Sequence, residues 1–234
     1  MSQEHFDWKQ LQGQLIVSCQ ALEDEPLHGA HFMAQMALAA YQGGAKAIRA
    51  NGVEDVKAIK QTVNIPVIGL IKREYPNSDV YITPTHIEVN QLIMANANVI
   101  ALDATKRSRP NKEALPDLID QIHKEGKQAM ADISTLEEGL AAAEAGADAV
   151  STTMSGYTPY SPQQKGPDLK LVSELSQVLT IPVIAEGRIT RPEEMIEAFK
   201  RGAFAVVVGS AITRPQLITE RYTTAAADWR KDRI

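Results

Sequence analysis

Residues 182–215 read "PVIAEGRITRPEEMIEAFKRGAFAVVVGSAITRP". An apolar run, "PVIAEGRI", leads into "PEEMIEAFKRGA", whose apolar residues recur at helical spacing, and then into a second apolar run, "FAVVVGSAI". Neither run alternates strictly between apolar and polar residues. That is the pattern of strands covered on both faces, as in parallel sheets. Pro192 falls at an expected first helical position, where its missing N–H costs nothing. Gly202 follows the last helical residue, where a left-handed cap turns the chain back toward the next strand. The stretch therefore reads as one strand–helix–strand unit with parallel strands.

The same unit recurs along the chain. Strand-like runs also occur at "QLIVSCQA" (14–21), "AKAIRAN" (45–51), "PVIGLIKR" (66–73), "ANVIALDAT" (97–105), "KQAMADIS" (127–134) and "ADAVSTTMSG" (147–156), making eight. Amphipathic stretches such as "HFMAQMALAAYQGG", "THIEVNQLIMANA" and "LEEGLAAAEAGA" lie between them, and Gly44 and Gly146 repeat the capping position of Gly202. Thr135 and Glu138 have capping-box spacing. Eight such units in 234 residues match an α/β fold of the closed (β/α)8, or TIM-barrel, type, which typically takes ~250 residues. An open doubly wound sheet is the alternative, but no unit carries a G-x-G-x-x-G turn. No linker or charge block divides the chain. It reads as a single domain over 1–234, with a short N-terminal helix at about residues 4–12 capping the barrel bottom.

Composition excludes several functions. A net charge of -5 argues against a nucleic-acid surface. Any phosphate ligand must then meet a local set of donors. The one cysteine, Cys19, allows no intrachain disulfide, and it reads as a small packing residue with no nearby histidine to activate it. The start "MSQEHFDWKQ" lacks the basic and apolar parts of a signal peptide, and no apolar run nears the ~18 residues of a membrane helix. A cytoplasmic protein with no membrane association is expected. The five histidines are scattered without metal-ligand spacing, so no metal site is expected.

In a barrel of this kind, active sites gather at the C-terminal ends of the strands. The residues that end the apolar runs are Gln20, Arg49, Asn51, Lys72, Arg73, Asp103, Asp132, Thr152, Thr153, Glu186, Arg188 and Ser210. Burying so many charges unpaired in one mouth would cost several kcal/mol each, and a site that needs them is the simpler account. After the last two runs come "AEGRIT" and "VVGSAITRP". Gly187 and Gly209 let backbone N–H groups approach a phosphate, Ser210 offers a hydroxyl, and Arg188 or Arg214 a charge-assisted bond. Lys72 is the unusual group, an ammonium at the end of an apolar strand. Burial and the neighbouring cations Arg49 and Arg73 would lower its pKa, whereas an ionised Glu186 would raise it. Three roles stay open for Lys72: proton abstraction beside a carbonyl, Schiff-base formation, or an ion pair to Glu186 or Asp103.

The chain resembles the N-acetylmannosamine-6-phosphate 2-epimerase family. The resemblance is carried by "VSCQALEDEPL" (17–27), "AIRANG" (47–52), "IGLIKR" (68–73), "ITPT" (82–85), "LDAT" (102–105), "ADIST" (131–135), "TTMSGYT" (152–158), "PVIAEGRITRPEE" (182–194) and "VVGSAITRP" (207–215). It implies a (β/α)8 enzyme of sialic-acid breakdown. Such an enzyme interconverts N-acetyl-D-mannosamine 6-phosphate and N-acetyl-D-glucosamine 6-phosphate without a cofactor. It further implies Lys72 as the proton-transfer residue and Glu186 as the second catalytic group. Gln20, Arg49, Asp132, Thr152, Gly187, Gly209, Ser210 and Arg214 would hold the amino-sugar phosphate, with Arg188 added from the reading of the loop after the seventh run, and the assembly would be a homodimer. One base or two, and a ring or open-chain sugar, stay open. A Schiff-base aldolase, a pentose-phosphate epimerase and a sugar-phosphate sensor are the rival readings.

Overall fold

A computed structural model describes residues 6–231. Eight strands run β1 Leu15–Cys19, β2 Ala47–Asn51, β3 Val67–Leu70, β4 Val99–Asp103, β5 Gln128–Asp132, β6 Ala149–Ser151, β7 Val183–Glu186 and β8 Ala205–Val208. Each lies within one of the eight apolar runs. All neighbours pair in parallel and in chain order, and β8 closes onto β1 through Val17↔Val208, so the sheet is a closed barrel. This is the (β/α)8 fold expected from the sequence. The helices are α1 Ala30–Gln42, α2 Val53–Thr62, α3 His86–Met94, α4 Leu115–Lys124, α5 Leu136–Glu144, α6 Leu169–Val178, α7 Pro192–Lys200, a single turn α8 Ser210–Thr213, and α9 Pro215–Lys231.

Two apolar layers account for the unalternating strands. Ile16, Ala47, Ile68, Ala101, Met130 and Val207 fill the barrel interior. Their strand neighbours Val17, Ile48, Ile100 and Val206 face outward onto helix residues such as Val56, Leu92, Ile122 and Leu175. Burying both faces removes a whole strand's apolar surface from water at roughly 25 cal/mol per Å². Gly69 on β3 makes one such close approach possible. A Cβ there would meet Leu92 Cδ2 at 2.9 Å and Ala97 Cβ at 3.0 Å.

The N-terminal segment closes the barrel bottom with the short helix expected there, a 3-10 helix over Trp8–Leu11 within the expected 4–12. Asp7 caps it by accepting from the Lys9 N–H at 2.9 Å, and Gly13, at φ 68°, bends the chain straight into β1. So short a run leaves room for one turn only. Residues 4 and 5 lie outside the described residues. Phe6, Trp8 and Leu11 join the interior cluster. Gly44, Gly146 and Gly202 have φ of 102, 96 and 95°, as the capping positions required.

At α5, Thr135 accepts from the Glu138 N–H at 3.3 Å, while the Glu138 carboxylate reaches past it to the Ser134 N–H at 2.8 Å. The reciprocal capping box forms instead at Thr85 and Glu88 of α3. Among the described residues, α9 buries none of its side chains, and no helix is long and apolar enough to cross a membrane.

Candidate active site

A cavity of about 620 Å³ opens at the C-terminal ends of the strands. Gln20, Arg49, Lys72, Glu186, Gly209 and Arg214 are among its lining. The interior layer contributes Leu70, Ile82 and Val207 to it.

One side of the cavity is a buried charge network. Arg49, 1% exposed, holds Asp132 through two bonds, Nη1–Oδ1 at 3.0 Å and Nη2–Oδ2 at 2.5 Å. Its Nη1 also donates to Glu186 Oε2 at 2.8 Å. The Thr153 hydroxyl sits between the two carboxylates, 2.8 Å from Asp132 Oδ1 and 3.0 Å from Glu186 Oε2. Ser151 Oγ lies 3.4 Å from the same Glu186 oxygen. Burial opposes the Arg49 charge, but Asp132 and then Glu186 outweigh it, and the guanidinium is held more firmly protonated than usual. A bidentate arginine fork is the group that suits this task. Among the described residues, the Arg49 Nε–H has no partner.

Lys72 sits two residues beyond β3. Its N–H donates to Asn51 Oδ1 at 2.9 Å, and its backbone forms an antiparallel bridge to Ile82. The loop after β3 thus folds back on itself and fixes the lysine stem. The side chain forms no ion pair among the described residues. Asp103 instead pairs with Arg107 at 2.5 Å. The Lys72 amine faces the open cavity, so water reaches it, yet protein crowds it on the remaining sides. That crowding is the first cause of a lowered pKa. Arg49 and Arg214 lower it further, and Glu186 and Asp132 oppose them.

Arg73, one of the two cations expected to act on Lys72, is turned away from the site. It pairs with buried Glu88 at 2.6 Å, because successive side chains of an extended segment point to opposite sides. Arg214 takes its place as the second cation.

Glu186 is pushed the other way. Burial raises its pKa, Arg49 lowers it, and Asp132 raises it again, with a net rise. A lysine pushed down and a carboxyl group pushed up, on one cavity, are shifted in the directions that an acid–base pair with separate roles would need.

The remaining expected residues divide between wall and support. Gln20 lines the cavity. Its Nε2 donates to Ser18 Oγ at 2.8 Å, and its Oε1 is buried without a partner among the described residues. Gly187, at φ 106°, and Gly209 border the cavity, and Ser210 begins α8. The first N–H groups of such a turn have no partner within it. Arg214 Nε pairs with Glu25 Oε1 at 3.0 Å. Asp132 does not line the cavity; its carboxylate is held behind it by Arg49 and Thr153.

Thr152 does not line it either. Its hydroxyl donates to the Glu186 carbonyl at 2.9 Å and accepts from the Glu186 N–H at 3.0 Å. The chain passes into a 3-10 turn at Thr152, and it is Thr153 that faces the cavity. The sequence reading did not pick out Tyr81, Tyr157, Lys165 or Arg221 on the cavity wall. They come from loops and from α9, where no apolar run marks a strand exit. Among the described residues no cluster of His, Cys, Asp and Glu is placed to hold a metal ion.

The family model described as "Putative N-acetylmannosamine-6-phosphate epimerase" matches residues 33–228. A Clostridium perfringens (strain SM101 / Type A) protein named "Putative N-acetylmannosamine-6-phosphate 2-epimerase" is 57% identical over 213 residues, 91% of this chain and 96% of that protein. A protein of the same name from Clostridioides difficile (strain 630) is 54% identical over 215 residues, 92% of this chain and 96% of that one. The solved structure of the N-acetylmannosamine-6-phosphate 2-epimerase from Clostridium perfringens superposes with a TM-score of 0.94 at 55% identity, covering 96% of this chain and 98% of the other. Thiamine phosphate pyrophosphorylase from Pyrococcus furiosus, at 18% identity and a TM-score of 0.62, shares the fold and covers 88% of this chain and 89% of its own.

Proposed function

The chain belongs to the N-acetylmannosamine-6-phosphate epimerase family, and from that premise we propose that Lys72 carries its chemistry. The enzyme is an isomerase that interconverts N-acetyl-D-mannosamine 6-phosphate and N-acetyl-D-glucosamine 6-phosphate, in sialic acid catabolism. The observation that carries the mechanism is Lys72 on the cavity wall, without an ion-pair partner among the described residues and lowered in pKa by burial and by Arg49 and Arg214.

In the open-chain sugar, C2 bears the acetamido group beside the C1 aldehyde. Neutral Lys72 takes the C2 proton and becomes an ammonium ion, and the electron pair moves to the C1 oxygen. Arg49, which lines the cavity and is held firmly protonated, is the fixed positive charge beside that oxygen. A pre-placed charge of this kind, facing charge that develops only in the transition state, is usually the largest single contribution a site makes. Glu186, whose burial favours the protonated form, returns a proton on the opposite face. Gln20 holds the sugar from the cavity wall. The turns at Gly187 and at Gly209–Ser210 hold the phosphate with Arg214. Asp132 and Thr152 serve from behind, by holding Arg49 and Glu186. The experiment is conversion followed by NMR from either sugar phosphate. It should reach one equilibrium mixture from both sides, and no conversion of either sugar overturns the reading. A Schiff base on Lys72 would instead be trapped covalently by borohydride.

The chain is read as one domain over 1–234, acting as a cytoplasmic homodimer. The support for a dimer is α9, which buries none of its side chains and exposes Tyr222 at 76%, while its first turns border the cavity at Leu217 and Arg221.

A further inference from the structure

Among the residues expected at the phosphate, Arg188 has a geometry that suits another task. Its Nε donates to the Gly166 carbonyl at 3.0 Å and its Nη1 to the Ser155 carbonyl at 2.7 Å. Its Cζ lies 5.7 Å from the centroid of the Tyr157 ring. Two sides of the fork are therefore spent on backbone acceptors of a single loop, the one joining β6 to α6. The backbone of Arg188 is left-handed, at φ 56°, a conformation that a non-glycine residue keeps only where its surroundings impose it. The guanidinium crosses directly over Gly156, itself at φ 82°, and a Cβ on Gly156 would collide with it.

One strand away, the Thr152 hydroxyl bonds both the N–H and the carbonyl of Glu186. The exits of β6 and β7 are thus joined at two points. Between these points lies Thr153, whose hydroxyl touches Asp132 and Glu186. The same loop supplies Tyr157 and Lys165 to the cavity wall.

We propose that Arg188 is a positioning residue: it straps the β6–α6 loop to the end of β7, and so holds Thr153 against the Glu186 carboxyl group, rather than ligating the phosphate. This rests on the reading of Glu186 as a proton-transfer group. Gly156 is the other half of the device, since only a residue without Cβ lets the strap cross.

The test compares Arg188→Ala, Arg188→Lys, Gly156→Ala and the Arg188→Ala/Gly156→Ala double variant, with conversion kinetics and amide hydrogen exchange. Arg188→Ala and Gly156→Ala should each lower kcat about ten- to a hundredfold, the scale of an ångström-sized misplacement, with KM nearly unchanged. In the double variant the clash with the strap is gone and only the backbone strain at φ 82° remains, so the combined loss should fall well short of the product of the two single losses. Arg188→Lys should not restore activity, since one ammonium cannot span two carbonyls. Exchange of the Ser155, Gly156, Tyr157 and Ser161 amides should quicken in Arg188→Ala.

Additive losses overturn the proposal. So does an Arg188→Ala enzyme whose KM rises while loop exchange stays as in the wild type, the signature of a phosphate ligand. If Gly156→Ala fails to fold, the exchange and the KM-against-kcat split of Arg188→Ala decide alone. A wild-type protein that does not interconvert the two sugars defeats the functional reading, and amide exchange then still decides whether the strap exists.

Discussion

A lysine amine in water at pH 7 is almost wholly an ammonium ion, and each departure of Lys72 from that state has a traceable cause. Crowding by the barrel mouth comes first, followed by the Arg49 and Arg214 charges. Because its pKa is lowered, the neutral base accumulates as pH rises through a value below the ordinary lysine value of 10.5. The rising limb of kcat/KM should fall in that range. The raised pKa of Glu186 means that its acid form disappears as pH rises, which sets the falling limb. A pH–rate profile checks both limbs. Glu186→Gln keeps the hydrogen bonds and removes the proton. It should stop interconversion while Lys72 still exchanges C2–H of one epimer with solvent. A Glu186→Gln enzyme that interconverts both sugars normally would show that Lys72 serves both faces. The place of Lys72 and Glu186 on the cavity wall was legible because each ends an apolar run. The choice of Thr153 over Thr152, and of Arg214 over Arg73, was not. It depends on a 3-10 turn and on the two-sidedness of an extended segment, and both need a backbone to be seen.

The elements were more legible than their ends. A strand buried on both faces cannot hide its composition, so "ANVIALDAT" and "FAVVVGSAI" announce β4 and β8 without help from alternation. The caps were legible where glycine is required and less so where side chains choose among partners, as when Glu138 passes over Thr135 to reach Ser134. The N-terminal plug was legible as a short helix, but not as a 3-10 one, since the spacing of apolar Phe6, Trp8 and Leu11 fits either form. At this scale Gly69 gives a direct prediction. Gly69→Ala places a methyl group against Leu92 and Ala97 and should destabilise the protein by about 1–3 kcal/mol, the usual cost of overpacking. Urea denaturation followed by circular dichroism measures it. A midpoint unchanged from the wild type would show that α3 shifts freely.

Over the whole molecule, barrel closure brings Gln20, Arg49, Lys72, Thr153, Glu186 and Gly209, from six different strand ends, onto one cavity. Nothing local in the sequence reveals that convergence; only the count of eight units does. Among the described residues, α9 has no buried side chain, so light scattering should give twice the chain mass of 25.6 kDa, and a mass of one chain would remove the dimer. The account as a whole stands on the transfer of a single proton, and NMR of C2–H in D2O reads it directly. The wild-type enzyme should place deuterium at C2 of both sugar phosphates. Lys72→Ala should bind the sugar phosphate yet lose exchange by about a hundredfold to ten-thousandfold, the range of a general base. Exchange in Lys72→Ala at the wild-type rate would contradict the account.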